Sequence, residues 1–67
     1  MEKINIRYRF NNPSATIDTN QYHVPRVGDV IHIKINDSKI GGIVISVIWI
    51  INDKDKYRIE VDVDRIY

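Results

Sequence analysis

The 67-residue chain has no cysteine and no leucine, and it has only one alanine, one tryptophan and one phenylalanine. Without cysteine, no disulfide can brace the fold and no cysteine-ligated zinc site can form. The scarcity of leucine and alanine, which are strong helix formers, argues against helices. A domain this small buries only about 60% of the surface of its unfolded chain. Oligomerisation is therefore the remaining source of extra stability.

An excess of charge of one sign is also missing. The 10 basic and 9 acidic residues leave a formal net charge of +1, so the chain has no strong field for nucleic acid or for a membrane surface. The first residues lack the apolar core of a signal peptide. The longest apolar stretch, residues 40–51, is too short to cross a bilayer as a helix. We expect a soluble, cytoplasmic protein with no membrane partner.

Fourteen isoleucines and seven valines make up most of the apolar content. Their branched side chains favour strands. Apolar and polar residues alternate in three segments, as they do in half-buried strands, and a fourth segment is almost continuously apolar. The four predicted strands are residues 3–10, 30–36, 41–51 and 57–63.

Between the first two of these strands, residues 15–28 have no strong period, although Ala15–Thr19 is compatible with a short strand. A segment this long in so small a domain is usually a functional or covering loop. Residues 52–56 are polar and predict a hairpin loop. The prediction is a single all-β domain over residues 1–67. It is a small antiparallel meander or SH3-like barrel of about five strands, with a long loop after the first.

The apolar segment 41–51 has two apolar faces. Its odd-numbered side chains match the inward rows of the other strands, which would direct Val44, Ile48 and Ile50 outward. A strand that is apolar on both faces needs cover on both, either from the loop 15–28 or from a second copy of the chain. Trp49 is either a core residue or an interface anchor. The predicted interface residues are Val44, Ile48, Trp49 and Ile50.

A basic, partly aromatic surface is the second candidate site. The outward face of the first strand carries lysine and arginine, and the loop adds further residues suited to phosphates. The candidate ligand-binding residues are Lys3, Arg7, Arg9, Tyr22, His23 and Arg26. If the first and last strands pair, the acidic row Glu60, Asp62 and Asp64 supplies cross-strand partners for these cations instead.

Catalytic signatures are missing from the sequence. No serine, histidine and carboxylate stand in a recognisable nucleophile motif, and the glycines form no phosphate-binding loop. His23 and His32 do not have the spacing of metal ligands. We therefore expect no enzymatic activity, no cofactor and no metal site.

The segments Val24-Pro25-Arg26-Val27-Gly28-Asp29-Val30-Ile31, Gly42-Ile43-Val44 and Val47-Ile48-Trp49, together with the closing strand, carry a resemblance. Over residues 24–63 the chain resembles short phage-borne and bacterial proteins of unknown function with an SH3-like barrel. The resemblance implies a fold rather than an activity. The aromatic motifs with which SH3 domains bind proline-rich peptides are absent, so that function is not implied.

Three functions are compatible with these observations. The first is a non-enzymatic binding or assembly module, most simply a homo-oligomer, with another protein as a possible partner. The second is binding of nucleic acid or an anionic small molecule through the basic strand face. The third, suggested by the phage-like character, is a counter-defence protein that captures a host factor or a second messenger.

Overall fold

The computed structural model describes residues 3–11, 13–52 and 57–67. It contains five strands in one sheet and, within these residues, no helix long and apolar enough to cross a membrane. The prediction of an all-β fold of about five strands is confirmed. The strands are β1 (Ile4–Phe10), β2 (Ala15–Gln21), β3 (Val30–Ile35), β4 (Ser38–Ile51) and β5 (Tyr57–Arg65).

The sheet has the order β2-β1-β5-β4-β3. Three of its pairings are antiparallel, as in a meander, but β1 and β5 run parallel at the centre. The predicted long loop after β1 is not found, because β2 begins at Ala15 after a short turn. The longest described irregular segment, residues 22–29, instead joins β2 to β3. Most of the predicted hairpin loop, residues 53–56, lies outside the described residues.

The core lies on the inner face of the curled sheet. Its central rows come from β1 and β5, with Ile6 packed beside Ile59 and Tyr8 beside Val61 in register. Strand alternation places every second residue on this face, so the alternating pattern of β1 and β5 is sufficient to specify the centre of the core. The buried apolar residues are Ile6, Tyr8, Phe10, Ile40, Val44, Ile59, Val61 and Val63.

The inward side of β2 becomes polar towards its end, which is why its pattern is weak in the sequence. The hydroxyl of buried Tyr8 donates a 2.8 Å hydrogen bond to Oε1 of Gln21. The hydroxyl of Thr19 donates to the same oxygen, also at 2.8 Å. These bonds satisfy polar groups beside the core, as burial requires, and they let β2 continue without apolar side chains.

A β-bulge divides β4. Val44 pairs with Val63 and Ser46 pairs with Asp62, so Ile45 is an extra residue with no direct partner on β5. The extra residue reverses the alternation of side chains along the strand. Before the bulge the even-numbered residues face the core, and after it the odd-numbered ones do. The prediction that Val44 faces outward is therefore wrong: Val44 is 1% exposed and belongs to the core.

Two glycines allow close approach at the start of β4. A Cβ atom on Gly41 would lie 2.8 Å from the ring of Tyr67 and 2.6 Å from the carbonyl oxygen of Ile31. A Cβ atom on Gly42 would overlap the carbonyl oxygen of Asp64. The sequence therefore needs glycine where β4 crosses the end of β5.

Strands β2 and β3 form the two edges of the sheet across the described residues. Between them lies an open groove of about 360 Å³, lined by Ala15 and Ile17 on one side and by Ile35 and Ile40 on the other. Arg65 also lines this groove, but its guanidinium donates hydrogen bonds to backbone carbonyls. The sheet is thus a half-barrel with an open side.

Candidate functional site

The predicted basic surface is an ion-pair network on the outer face. Arg7 binds Asp18 of β2 through two hydrogen bonds of 2.8 and 3.2 Å. Arg9 lies 2.8 Å from Asp62 and 3.1 Å from Glu60. Because β1 and β5 pair in register, each arginine stands beside a carboxylate. The alternative in which the acidic row supplies cross-strand partners therefore describes Arg9, whereas the partner of Arg7 is Asp18 of β2.

This pairing also fixes the electrostatics of the face. The hydrogen bond from Arg7 lowers the pKa of the Asp18 carboxyl, and the same bond to Asp18 raises the pKa of Arg7. Both groups therefore remain charged at neutral pH and neutralise each other. An incoming phosphate would have to displace carboxylates already in place, which weakens the case for an anion site here.

The other predicted ligand residues occupy two separate places. The ammonium of Lys3 lies 5.6 Å from the ring centroid of Tyr22, within the range of a cation–π contact. His23 is exposed, and its carbonyl accepts a hydrogen bond from Gln21. Arg26 lies farther along the loop, where its backbone N–H donates to the Asp29 carboxylate at 2.8 Å.

The described residues contain no group of three or more histidine, cysteine, aspartate or glutamate side chains placed to hold a metal ion. Glu60 and Asp62, from the acidic row of β5, bind arginines instead. Glu60 is only 9% exposed and also lies 3.3 Å from Arg58. The acidic row is therefore part of the ion-pair network.

The second half of β4 is a better candidate. We call residues 45–51 the β4 arm. It carries no charged residue, and five of its seven side chains are apolar and between 38% and 70% exposed. These are Ile45, Ile48, Trp49, Ile50 and Ile51. Exposed apolar side chains concentrated in one short segment are typical of an interaction site.

The β4 arm also has a strand neighbour on one side only, among the described residues. β3 pairs with β4 from Ser38 to Ile43, and the backbone of residues 28–29 then bonds to both polar groups of Val44. Past that point, only β5 lies alongside. The arm is therefore a sheet edge, and an edge offers backbone donors and acceptors to another strand.

A turn in the preceding loop explains why the chain leaves this edge open. The N–H of Asp29 donates to the carbonyl of Arg26 at 3.0 Å, and Gly28 has a φ of 97°. Glycine at this position, with a bond between the first and fourth residues, is typical of a type II turn. The turn directs residues 24–27 away from the line of β3.

An apolar groove of about 330 Å³ lies on the inner side of the arm. Residues 24–27 form one wall, and Val47 and Trp49 form the other. The loop thus lies beside the inner face of the arm rather than over Ile48 and Ile50, which are 38% and 40% exposed. The sequence leaves two alternatives for covering Ile48 and Ile50, the loop or a second copy of the chain. The loop does not cover them.

No family model, curated protein or solved structure matches the chain. Its function must therefore be argued from the arm, the groove and the ion-pair network themselves.

Sequence reasoning places Ile48, Trp49 and Ile50 in this candidate site and misses Ile45 and Ile51. It assigns both of these to the inward row. For Ile45, the bulged residue, that placement is wrong, whereas Ile51 does follow Val47 and Trp49 on the inner row and is 70% exposed at the end of the strand. A bulge leaves no reliable mark in a run of β-branched residues, so no signal in the sequence reveals the change. The open edge is also invisible, since it depends on where β3 stops pairing.

Proposed function

We propose that the protein is a non-enzymatic assembly module that associates with copies of itself through the β4 arm. The observation that carries this proposal is the combination of an open strand edge with uncharged, exposed apolar side chains on that edge. Natural sheet edges are usually protected by charges, proline or short length. This edge has none of those protections over seven residues.

The energetic argument favours association. Burying an apolar side chain fully contributes about 1.5–3 kcal/mol, and the net stability of a domain is only about 5–15 kcal/mol. Five exposed apolar side chains on one arm therefore represent a large fraction of what a fold of this size can gain. Association would recover it without a disulfide or a metal.

Binding of nucleic acid or an anionic ligand has less support. The arginines that it needs, Arg7 and Arg9, already bind Asp18, Glu60 and Asp62. Capture of a host protein would use the same β4 arm, and it is an outcome that the following experiment separates from self-association.

The test is sedimentation of the purified chain from low micromolar to millimolar concentration. We expect the average mass to rise with concentration for the wild type. Ile48→Lys should remain monomeric, because a charge on an edge strand opposes strand pairing. Ile66→Lys is the matched control, since Ile66 is exposed but lies outside the arm, and it should associate like the wild type.

A wild-type mass that stays monomeric at every concentration would contradict self-association. A monomer that binds a second protein through the arm, with Ile48→Lys abolishing the binding, would favour the capture of a different partner instead.

A further inference from the structure

We propose that two copies of this chain pair antiparallel through their β4 arms, about a two-fold axis at Ile48, so that their sheets become one continuous sheet. This inference rests on the proposed self-association and adds its geometry. Two-fold dimers are the commonest protein assemblies, and their interfaces use the same surface on both copies. Strand addition at a sheet edge supplies the backbone hydrogen bonds.

The length of the open edge sets the register. Pairing to residues 28–29 ends at Val44, and the strand itself ends at Ile51. The open edge is therefore residues 45–51, and its midpoint is Ile48. An antiparallel pairing centred there brings residues 46–50 of both copies into register and places the bulged Ile45 at the end of the pairing, opposite Ile51.

Strand alternation independently restricts the choice. In an antiparallel two-fold pair, residues directly opposite each other point to the same face of the sheet. Opposite residues must therefore have numbers of the same parity in the part of the arm beyond the bulge. The centre at Ile48 meets this condition, because it places Ser46 opposite Ile50 and Val47 opposite Trp49.

The side chains that this register brings together are compatible. On the outer face, Ile48 meets Ile48 of the second copy. On the inner face, Val47 meets Trp49 of the second copy, a pairing of aromatic and β-branched residues that stabilises sheets. The arm has no charged residue, so no like charges are opposed across the junction.

The inner groove offers space for the same contact. It is lined by Val47 and Trp49 of the arm and by residues 24–27 of the loop, of which Arg26 is the only charged one. In the proposed register, the Trp49 indole of the second copy lies beside Val47 on the inner face and thus at this groove. By symmetry, the groove of the second copy receives the first copy's Trp49.

The other two edges are less suitable for self-pairing. The outer row of β3 carries Lys34 beside Lys39 of β4, and a charge on an edge strand opposes pairing with another strand. On β2 the central outward residue is Asp18, so an antiparallel self-pair centred on that strand would oppose two aspartates. Like charges directly opposite destabilise a sheet. Of these three edges, the β4 arm alone carries no charged residue.

Single-cysteine variants test the register cleanly, because the chain has no cysteine of its own. Opposite Cα atoms in an antiparallel pair are about 4.5–5.5 Å apart, within the reach of a disulfide at about 4.4–6.8 Å. Under mild oxidation, Ile48→Cys should form a covalent dimer in high yield. Ile50→Cys alone is the matched control and should not, since its two copies would lie about 13 Å apart along the strand.

A mixture provides the decisive result. Ser46→Cys and Ile50→Cys should each fail to cross-link alone but should cross-link efficiently when mixed, because the register places residue 46 opposite residue 50. Sedimentation of the reduced variants checks that each still associates.

Three outcomes in an associating protein would overturn the proposed register while leaving self-association intact. They are efficient cross-linking of Ile50→Cys alone, equal cross-linking of every variant, and no cross-linking of Ile48→Cys. A reduced wild type that stays monomeric at all concentrations would overturn both proposals.

Discussion

At the scale of single residues, Glu60 is the carboxylate on which the outer face depends. It is nearly buried and receives Arg9 at 3.1 Å and Arg58 at 3.3 Å. When a buried carboxylate loses a hydrogen-bond donor, part of the free-energy cost of its desolvation is no longer offset. An exposed carboxylate that loses its donor is hydrated by water instead. The two arginines of β1 therefore differ in importance, because the Asp18 partner of Arg7 is exposed.

We predict that Arg9→Met lowers the free energy of unfolding by about 1–3 kcal/mol. Arg7→Met, the matched control, should lower it by less than about 1 kcal/mol, as is usual for an exposed ion pair. Urea unfolding followed by circular dichroism measures both. Equal losses for the two variants would show that the burial of Glu60 does not govern the network.

Tyr8 provides a second residue-scale prediction, through pH. Burial raises the pKa of its phenol above the ordinary value of about 10. Because the folded state favours the protonated form, the contribution of Tyr8 to stability is complete below about pH 10. It is lost as the pH rises through the raised pKa of the folded state.

Tyr8→Phe should cost about 1 kcal/mol at neutral pH, since it removes the hydrogen bond to Gln21. It should also lose less stability than the wild type between pH 9 and pH 11. Urea midpoints at a series of pH values give the comparison, because the two proteins differ only at residue 8. Parallel curves for the two proteins would exclude Tyr8 as the source.

At the scale of elements, the bulge in β4 makes a prediction that a regular strand would not. Val44→Ala should cost about 2 kcal/mol because it opens a cavity in the core. Its neighbours Ile43→Ala and Ile45→Ala should each cost less than about 1 kcal/mol, because both side chains are exposed. Chemical denaturation of the three variants gives the comparison. A larger loss at Ile43 or Ile45 than at Val44 would contradict the reversal of faces.

The same element shows how far the sequence predicts the fold. Alternation in β1 and β5 identifies their buried residues correctly, from Ile6 to Phe10 and from Ile59 to Val63. Two features escape. The polar inward residues Thr19 and Gln21 weaken the alternation by which β2 would be recognised. The bulge at Ile45 means that even-numbered rather than odd-numbered residues face the core in the first half of β4. Both depend on contacts with distant strands, which local patterns do not encode.

The candidate site is also only partly predictable from the sequence. Ile48, Trp49 and Ile50 can be identified from the sequence because they belong to a segment with apolar residues on both faces. The open edge of the arm cannot be identified from the sequence, because it depends on the turn at Gly28 and on where the β3–β4 pairing ends. The ion pairs of Arg9 cannot be predicted without knowing that β1 and β5 are neighbours, and that of Arg7 depends on the pairing of β1 with β2.

At the scale of the whole molecule, association through an apolar edge has a characteristic response to salt. Screening weakens contacts between exposed charges but not burial of apolar surface, and sulfate strengthens the latter. We predict that the dimerisation constant is unchanged or larger when sodium sulfate is added. Sedimentation in buffers of increasing ionic strength measures it. A steep weakening with salt would indicate an electrostatic interface and would point away from the β4 arm.

The parallel pairing of β1 with β5 has a consequence for the order of folding. The β1–β2 hairpin and the β3–β4–β5 meander each contain only pairings between strands adjacent in the chain, whereas the junction between them joins residues 53 positions apart, such as Arg9 and Asp62. Non-local contacts of this kind form slowly because a long loop must close first. We expect two local units to form early and the central seam of the core to form last. While that seam is open, the inward rows of β1 and β5 are exposed to water, so the time that the nascent chain spends before closure sets its exposure to aggregation.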